Sequence, residues 1–530
     1  MGEKYPAPEV QPKSEMEASN APVRTNDRTN SSTTSSISPS TSPELTPEKP
    51  VATNNFVRIS DADLQFETST ATFKFNQDLS ALTSARLKDF KQESKSPATI
   101  ELINSPLVMQ ATTRNAKNAT SLVGFHAERI GDTLKFYRDV DNWKLETIFS
   151  PGKDGYSFDV TLNYTNNSPV GQELNAGFMF RENITPPEKS GGIIPSAGMK
   201  RDTILSETSS GKDMIDIKEY CEEYATEKKP AVSGNSESIS YLGFDSHYFL
   251  KIFQPSSDKF DFEANRVNDR SGDGCPLLIV ASQAQGVVPP GETVTLNYRT
   301  YFGPKKLEAL AAFDTKLETA IDLGWFEVVA RPLLLAVKGV YGYFGNYGIA
   351  IILITILLKI LFFPLTKAAA VSMKKMQKLQ PQMQSLREKY KEDPRKQQQE
   401  LMKFMKTNKV NPAKGCIPIL PQVPVFIAFY NVLSHAIELR HAPFLGWITD
   451  LSAADPFYVT PVLLGIGMFA QQKLTPNAGM DKNQQRMMMM MPVIFTVMFF
   501  SLPAGLVLYM IVNTIVSIAQ QQWLNRRLVI

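Results

Sequence analysis

Lys359 is the residue whose type and position call for a chemical reason. It sits inside Tyr347–Pro364, a run (YGIAIILITILLKILFFP) that is otherwise almost wholly apolar. At about 1.5 Å per residue, such a run can cross a hydrocarbon layer of roughly 30 Å with some thinning. A charge within that layer costs on the order of 2.5–3.5 kcal/mol on insertion scales. Two readings account for it: the ammonium snorkels to the near surface, about a turn away beside Pro364, or it faces a wet cavity between helices. Nothing else in the sequence marks out catalysis. Cys221, Cys275 and Cys416 have no metal-ligand spacing, and His126, His247, His435 and His441 are scattered. If the first half lies outside the cell, Cys221 and Cys275 are in a position to form one bridge. There is no Ser/His/Asp elbow, Gly-rich phosphate loop or carboxylate pair marked by its context. The reading is therefore a non-enzyme with no catalytic residue, cofactor or metal.

The elements that must position Lys359 follow from composition and period. The chain has 530 residues and a net charge of +3, an average that hides a polar first part and a strongly apolar last part. Two solvents are implied. Residues 1–50 are rich in Ser, Thr, Pro, Glu and Asn and bury too little to offset their ordering entropy, so they read as a flexible tether. Residues 51–315 carry short runs alternating at period two, among them Thr70–Asn76, Thr133–Asp139, Tyr156–Tyr164 and Glu292–Phe302. Turn signals bound these runs, which predicts a large antiparallel β-sandwich. Such sandwiches often bind sugars, but no residue here singles out a carbohydrate site. Leu307–Leu323 has a helical period. Residues 316–345 read as a linker and an amphipathic helix lying in the membrane interface. Trp325, Phe326, Val329, Leu333, Leu334 and Val337 share its apolar side, and Tyr341, Tyr343 and Tyr347 act as headgroup-level anchors.

Residues 346–525 read as a membrane bundle with five spans, at about 346–364, 417–436, 457–472, 487–502 and 505–521. Between the first two, residues 366–416 hold thirteen Lys and Arg against Glu388, Glu392, Asp393 and Glu400. A short loop this basic stays in the cytoplasm. Two helical segments with apolar residues at three-to-four spacing (Met373, Met376, Leu379; Leu401, Phe404, Met405) flank Asp393-Pro394, which predicts a cytoplasmic helical hairpin. Its basic face suits anionic phospholipids or ribosomal RNA. Pro418, Pro421 and Pro424 free backbone groups within the second span, and Ser501–Leu506 divides the last apolar stretch into two short helices of roughly 16 residues each. The methionine run Met487–Met491 gives a pliable apolar surface. Five spans ending inside place residues 1–345 outside, and charge bias alone does not export a domain that large. The expectation is that the sequence lacks an N-terminal signal-anchor helix.

FGNYGIAIILITILLKILFFPLTK, KVNPAKGCIPILPQVPVFIAFY, ELRHAPFLGWITDLSAADPFYVTP, MPVIFTVMFF and PAGLVLYMIVNTIVSIAQQQ are similar in order, spacing and wording to the core segments of the YidC family of membrane protein insertases. The resemblance covers roughly residues 320–525. The sandwich resembles, more weakly, the β-supersandwich-like periplasmic domain of Gram-negative members. It implies a multi-pass protein of the bacterial inner membrane, with residues 1–345 periplasmic and the C-terminus cytoplasmic. Its five core helices would enclose a hydrophilic groove open to cytoplasm and lipid. The groove cation, usually arginine, falls on Lys359, which keeps the charge but loses the bidentate fork. Thr355, Gln422, Asn513 and Ser517 are further groove residues, with Tyr509 near the substrate path. Met510, where many relatives have a second tyrosine, and Pro421 are departures. Implied partners are nascent membrane proteins, SecYEG, SecDF, the ribosome and anionic phospholipids, with no small-molecule substrate. The alternatives are a channel or transporter using the same groove, or a carbohydrate-binding protein on a membrane base.

Overall fold

Residues 58–527 are described by a computed structural model, apart from 93–96, 104–106, 114–121, 185–202, 209–210, 218–219, 222–231, 235–238, 257–259, 267–274, 409, 411–418 and 475–481. The expected tether at 1–50 and the third cysteine, Cys416, lie outside the described residues.

Period-two alternation produces strands with one face buried, as in Ala71–Asn76 and Ser157–Asn166. They assemble into two antiparallel sheets of nine strands each. One runs Gln65–Glu67, Ala71–Asn76, Ala81–Lys91, Leu107–Thr112, Gln172–Ile184, Cys275–Val288, Asp261–Arg266, Val232–Gly234, with Thr99–Glu101 beside Ala81–Lys91. The other runs Gly211–Asp216, Thr203–Thr208, Ile239–Asp245, Phe249–Pro255, Thr293–Pro304, Ser157–Asn166, Trp143–Pro151, Thr133–Val140, His126–Ile130. The two sheets face each other through aromatic rings: Phe73 meets Phe158 edge-on at 4.5 Å, Phe180 meets Phe253 at 4.1 Å, and Phe178 stacks on Tyr298 at 5.1 Å. Each ring adds the burial of a large apolar surface plus a directional term of about 0.5–1.5 kcal/mol. The long pair Gln172–Ile184 and Cys275–Val288 shifts register after Leu174, beside Gly286, whose φ of 74° admits the bulge. Cys221 is buried and disulfide-bonded.

Helices follow: α1 (Leu307–Phe313), α2 (Glu327–Phe344), α3 (Tyr347–Leu361), α4 (Phe363–Lys389), α5 (Pro394–Thr407), α6 (Ile419–His435), α7 (Val459–Leu474), α8 (Lys482–Phe499) and α9 (Ala504–Arg527). The helical period over Leu307–Leu323 is not one helix. The Asp314 carboxylate accepts from the Lys316 N–H at 2.9 Å and opens a separate 3-10 turn, while Arg299 takes the Phe313 carbonyl at 3.0 Å. On α2, Ala330, Leu333, Leu334 and Val337 are buried against α3 and α6. Trp325 does not share that face: it precedes the helix and is fully exposed. Tyr347 is not an anchor at the surface either; it is 8% exposed and stacks on Tyr341 at 3.9 Å.

Each expected span holds a helix, but among the described residues only α9 is long and apolar enough to cross a membrane alone, and α3 with α4 qualifies as a pair bent by 57°. The bend has a local cause. Pro364 lies in the first turn of α4 and has no N–H to donate, so the ladder of α3 is not continued through it. The last two helices are longer than the 16 residues anticipated, because α8 begins at Lys482 and α9 runs on to Arg527. Below the bend, α4 and α5 share an apolar seam: Met376, Met383 and Val410 are buried there, with Met373, Leu379, Leu401, Phe404 and Met405 packed around them. Asp393 starts α5 by accepting from the Lys396 N–H at 3.0 Å.

The sandwich and the helices are joined by polar contacts. Arg440 donates to the carbonyls of Lys91 (2.7 Å) and Gln92 (2.9 Å), and its guanidinium lies over the Tyr248 ring. The His247 ring nitrogen is 2.6 Å from the Ser434 carbonyl. Lys338 on α2 bridges Glu308 and Glu438.

Candidate functional site

Tyr509, Asn513, Ser517, Gln521 and Asn525 recur every fourth residue, so they form one polar line along α9, about 24 Å long at 1.5 Å per residue. Facing it are Thr355 and Lys359 on α3, Thr366 and Lys374 on α4, Gln422 on α6 and Gln471 on α7. Together with apolar neighbours they line a cavity of about 280 Å³. All six residues singled out from the sequence (Thr355, Lys359, Gln422, Tyr509, Asn513 and Ser517) are brought to this one cavity. Thr366, Lys374, Gln471, Gln521 and Asn525 were missed. The four-residue spacing on the last helix, continued past Ser517, is the signal that reaches Gln521 and Asn525. Met510 is not among the lining residues.

Lys359 points inward. Its Nζ donates to Ser517 Oγ at 2.7 Å, and that hydroxyl donates in turn to the Asn513 carbonyl at 2.7 Å. This geometry favours the cavity reading over snorkelling. The Lys359 carbonyl, in the last turn of α3 where intrahelical partners run out, accepts from Gln520 Nε2 at 3.2 Å. Among the described residues no aspartate or glutamate lines the cavity, so its charged side chains are two lysines. A cation held between helices attracts anions far more strongly than one in bulk water.

One end is closed by packing. Thr355 is 1% exposed and Tyr509 2%, and Tyr509 stacks on Phe429 at 4.3 Å. Beyond them the backbone is tight: an added Cβ on Gly348 would lie 2.0 Å from Phe444 Cδ2. The segment 440–455 covers the start of α9, with Ala504 N–H donating to the Ala453 carbonyl (2.7 Å) and Gly505 N–H to the Leu451 carbonyl (2.9 Å). Asp455 fixes that segment. Its Oδ1 accepts from Trp447 Nε1 and the Phe457 N–H, each at 3.0 Å, and its Oδ2 from the N–H and hydroxyl of Thr460, each at 2.8 Å. Burial raises the Asp455 pKa, but these donors outweigh it and hold the carboxyl below its ordinary value.

The profile of a family described as the YidC periplasmic domain matches residues 63–336, more than half of the chain, and that of the 60Kd inner membrane protein matches 339–529. The chain belongs to the YidC family. Its resemblance to a Membrane protein insertase YidC of Geotalea uraniireducens (strain Rf4) is 54% identity over 387 residues, 69% of this chain and 72% of that one. The Membrane protein insertase YidC of Geobacter metallireducens is 46% identical over 303 residues, 57% of this chain and 56% of the relative. The chain thus spans about half the length of several curated YidC relatives it matches. A crystal structure described as an active YidC insertase with the first transmembrane domain resolved covers 87% of this chain and 92% of its own, at 18% identity and a TM-score of 0.37.

Proposed function

We propose that this protein is a membrane protein insertase and folding factor. It moves hydrophilic segments of client proteins part-way across the inner membrane through the cavity around Lys359, and releases their apolar helices sideways into lipid. The observation that carries the reading is the cavity itself: a polar line on α9 opposite a lysine, with no carboxylate among the described lining residues. A polar group entering hydrocarbon unpaired costs several kcal/mol, and a polar recess shortens the distance over which that cost applies. Short helices beside it thin the bilayer locally. Burial of the client's apolar helix supplies the driving force, aided by the membrane potential.

In this reading residues 1–345 are periplasmic, the helices form five spans, and α4 with α5 forms a cytoplasmic hairpin. The exposed Lys375, Lys378, Lys403 and Lys406 give that hairpin a basic face for anionic phospholipids or the ribosome. SecYEG and SecDF are the partners with which it would act when not acting alone. The Lys359 amine serves clients by long-range attraction to acidic residues, a role that needs no bidentate geometry.

The test is depletion of a host's own insertase and rescue by this chain, scoring insertion of small membrane proteins. Lys359→Arg should rescue, whereas Lys359→Ala and Lys359→Glu should lower insertion of acidic-tailed clients, glutamate the more severely. Full rescue by alanine would show the charge to be dispensable and remove the electrostatic mechanism.

A further inference from the structure

We propose that Gln520 is a positioning residue: by tying the Lys359 main chain to α9, it keeps the Lys359 ammonium in the cavity and away from the near membrane surface. Its consequence for clients, that acidic tails depend on this tie, rests on the insertase reading.

Ser517, Gln520 and Trp523 stand three residues apart on α9 and are therefore neighbours along one side of it. They hold the bend between α3 and α4 at three points. Ser517 Oγ accepts from Lys359 Nζ at 2.7 Å, Gln520 Nε2 donates to the Lys359 carbonyl at 3.2 Å, and the Trp523 ring meets the Phe363 ring edge-on at 5.7 Å. One helix thus fastens Lys359 by its side chain and by its main chain. The bend is where the main chain most needs an outside tie. Pro364 has no N–H, so the Ile360 carbonyl, four residues earlier, loses its helical partner. A lysine stem rooted there lies about a turn from the aqueous boundary and has two resting places, inward at Ser517 or outward among headgroups. Where its root is held decides between them.

Gln520 is not among the residues that line the cavity, so it acts on a client only through Lys359. Stability does not account for its amide either. Its Oε1 is buried and meets no donor among the described residues. A buried oxygen left unpaired is destabilising, and an apolar side chain of the same length would avoid that cost. What the amide supplies, and an apolar side chain cannot, is the N–H on the Lys359 carbonyl.

The test compares the full chain with Gln520→Met and Gln520→Leu. Both remove the N–H and fill its place with apolar atoms, so either one carries the experiment should the other fold poorly. Gly348→Ala serves as the control, since it loosens the bundle from the closed end, away from the bend. Each protein is held in a lipid nanodisc and treated briefly with a sulfonated succinimidyl ester, an amine reagent confined to water. Mass spectrometry then reads labelling of Lys359 against the exposed Lys378. In parallel, each is expressed in cells depleted of their own insertase, with two clients that differ only in a neutral or an acidic tail.

Both Gln520 variants should raise relative labelling of Lys359 about fivefold, the population change that loss of one hydrogen bond brings. Gly348→Ala should leave that labelling as in the wild type. Insertion of the acidic-tailed client should fall in the Gln520 variants and that of the neutral client should not. Unchanged labelling in both Gln520 variants would overturn the proposal. So would an equal rise in Gly348→Ala, which would mean general loosening, or equal losses for the two clients, which would mean a purely structural role. If labelling rises and the acidic-tailed client inserts as before, the positioning role stands and the electrostatic insertase reading fails.

Discussion

Replacing Asp455 by alanine removes the acceptor for four donors at once: Trp447 Nε1, the Phe457 N–H, and the N–H and hydroxyl of Thr460. The carboxylate is 1% exposed, so water does not readily take its place. Loss of a helix cap costs about 1 kcal/mol, and each buried donor left unpaired a further 1–3 kcal/mol. The Thr460 hydroxyl is able to rotate, which leaves a net loss of about 3 kcal/mol after relaxation. For a unit of about 200 residues that lowers the midpoint of thermal unfolding by about 6–12 °C. The assay is thermal unfolding of the purified full chain in detergent, followed by tryptophan fluorescence, with Asp455→Asn as an intermediate case that retains one acceptor. The sign of the pH dependence follows from the depressed carboxyl pKa. The stabilisation is complete above the unfolded value of about 3.9 and is lost as pH falls through the lower folded value. The gap between wild type and Asp455→Ala should therefore be full at neutral pH and close only in strong acid. A variant melting within about 2 °C of wild type at neutral pH would refute the reasoning, because it would mean the four donors find other partners.

Two further outcomes are expected. Gly348→Ala drives a methyl into Phe444, 2.0 Å from Cδ2, and should cost about 1–3 kcal/mol; Phe444→Leu in the same chain should recover part of the lost thermal stability. Glu146→Gln removes the charge paired with Lys135 (2.8 Å) and Lys144 (2.9 Å) and should destabilise the sandwich by about 1–2 kcal/mol, read from its urea midpoint. Burial raises the Glu146 pKa, but both lysines outweigh it and hold the carboxyl low. Its contribution is thus present at neutral pH and disappears as acid takes the carboxyl through its folded value.

The strands were legible because a half-buried strand writes its pattern directly into alternate residues: Thr133–Asp139 and Tyr156–Tyr164 fall within observed strands almost residue for residue. Pairing was not legible. Gln172–Ile184 lies beside Cys275–Val288, about a hundred residues later, and only the packing of two whole sheets selects that partner. The break at Asp314 escaped the helical period because a single side chain competing for backbone donors overrode it. Lys359 stood out because a charge in an apolar run is conspicuous, whereas Lys374 did not, since in a loop full of lysines its type says nothing. What distinguishes Lys374 is the bend at Phe362, which turns one face of α4 toward α9.

Arg440 holds the sandwich by grasping the carbonyl oxygens of Lys91 and Gln92 rather than their side chains. Every residue type offers the same carbonyl. The tip of that strand is consequently free to change its amino acids over evolutionary time without loosening the join. Substitutions at 91 and 92 should leave the attachment intact, while loss of the single arginine on the other side should not.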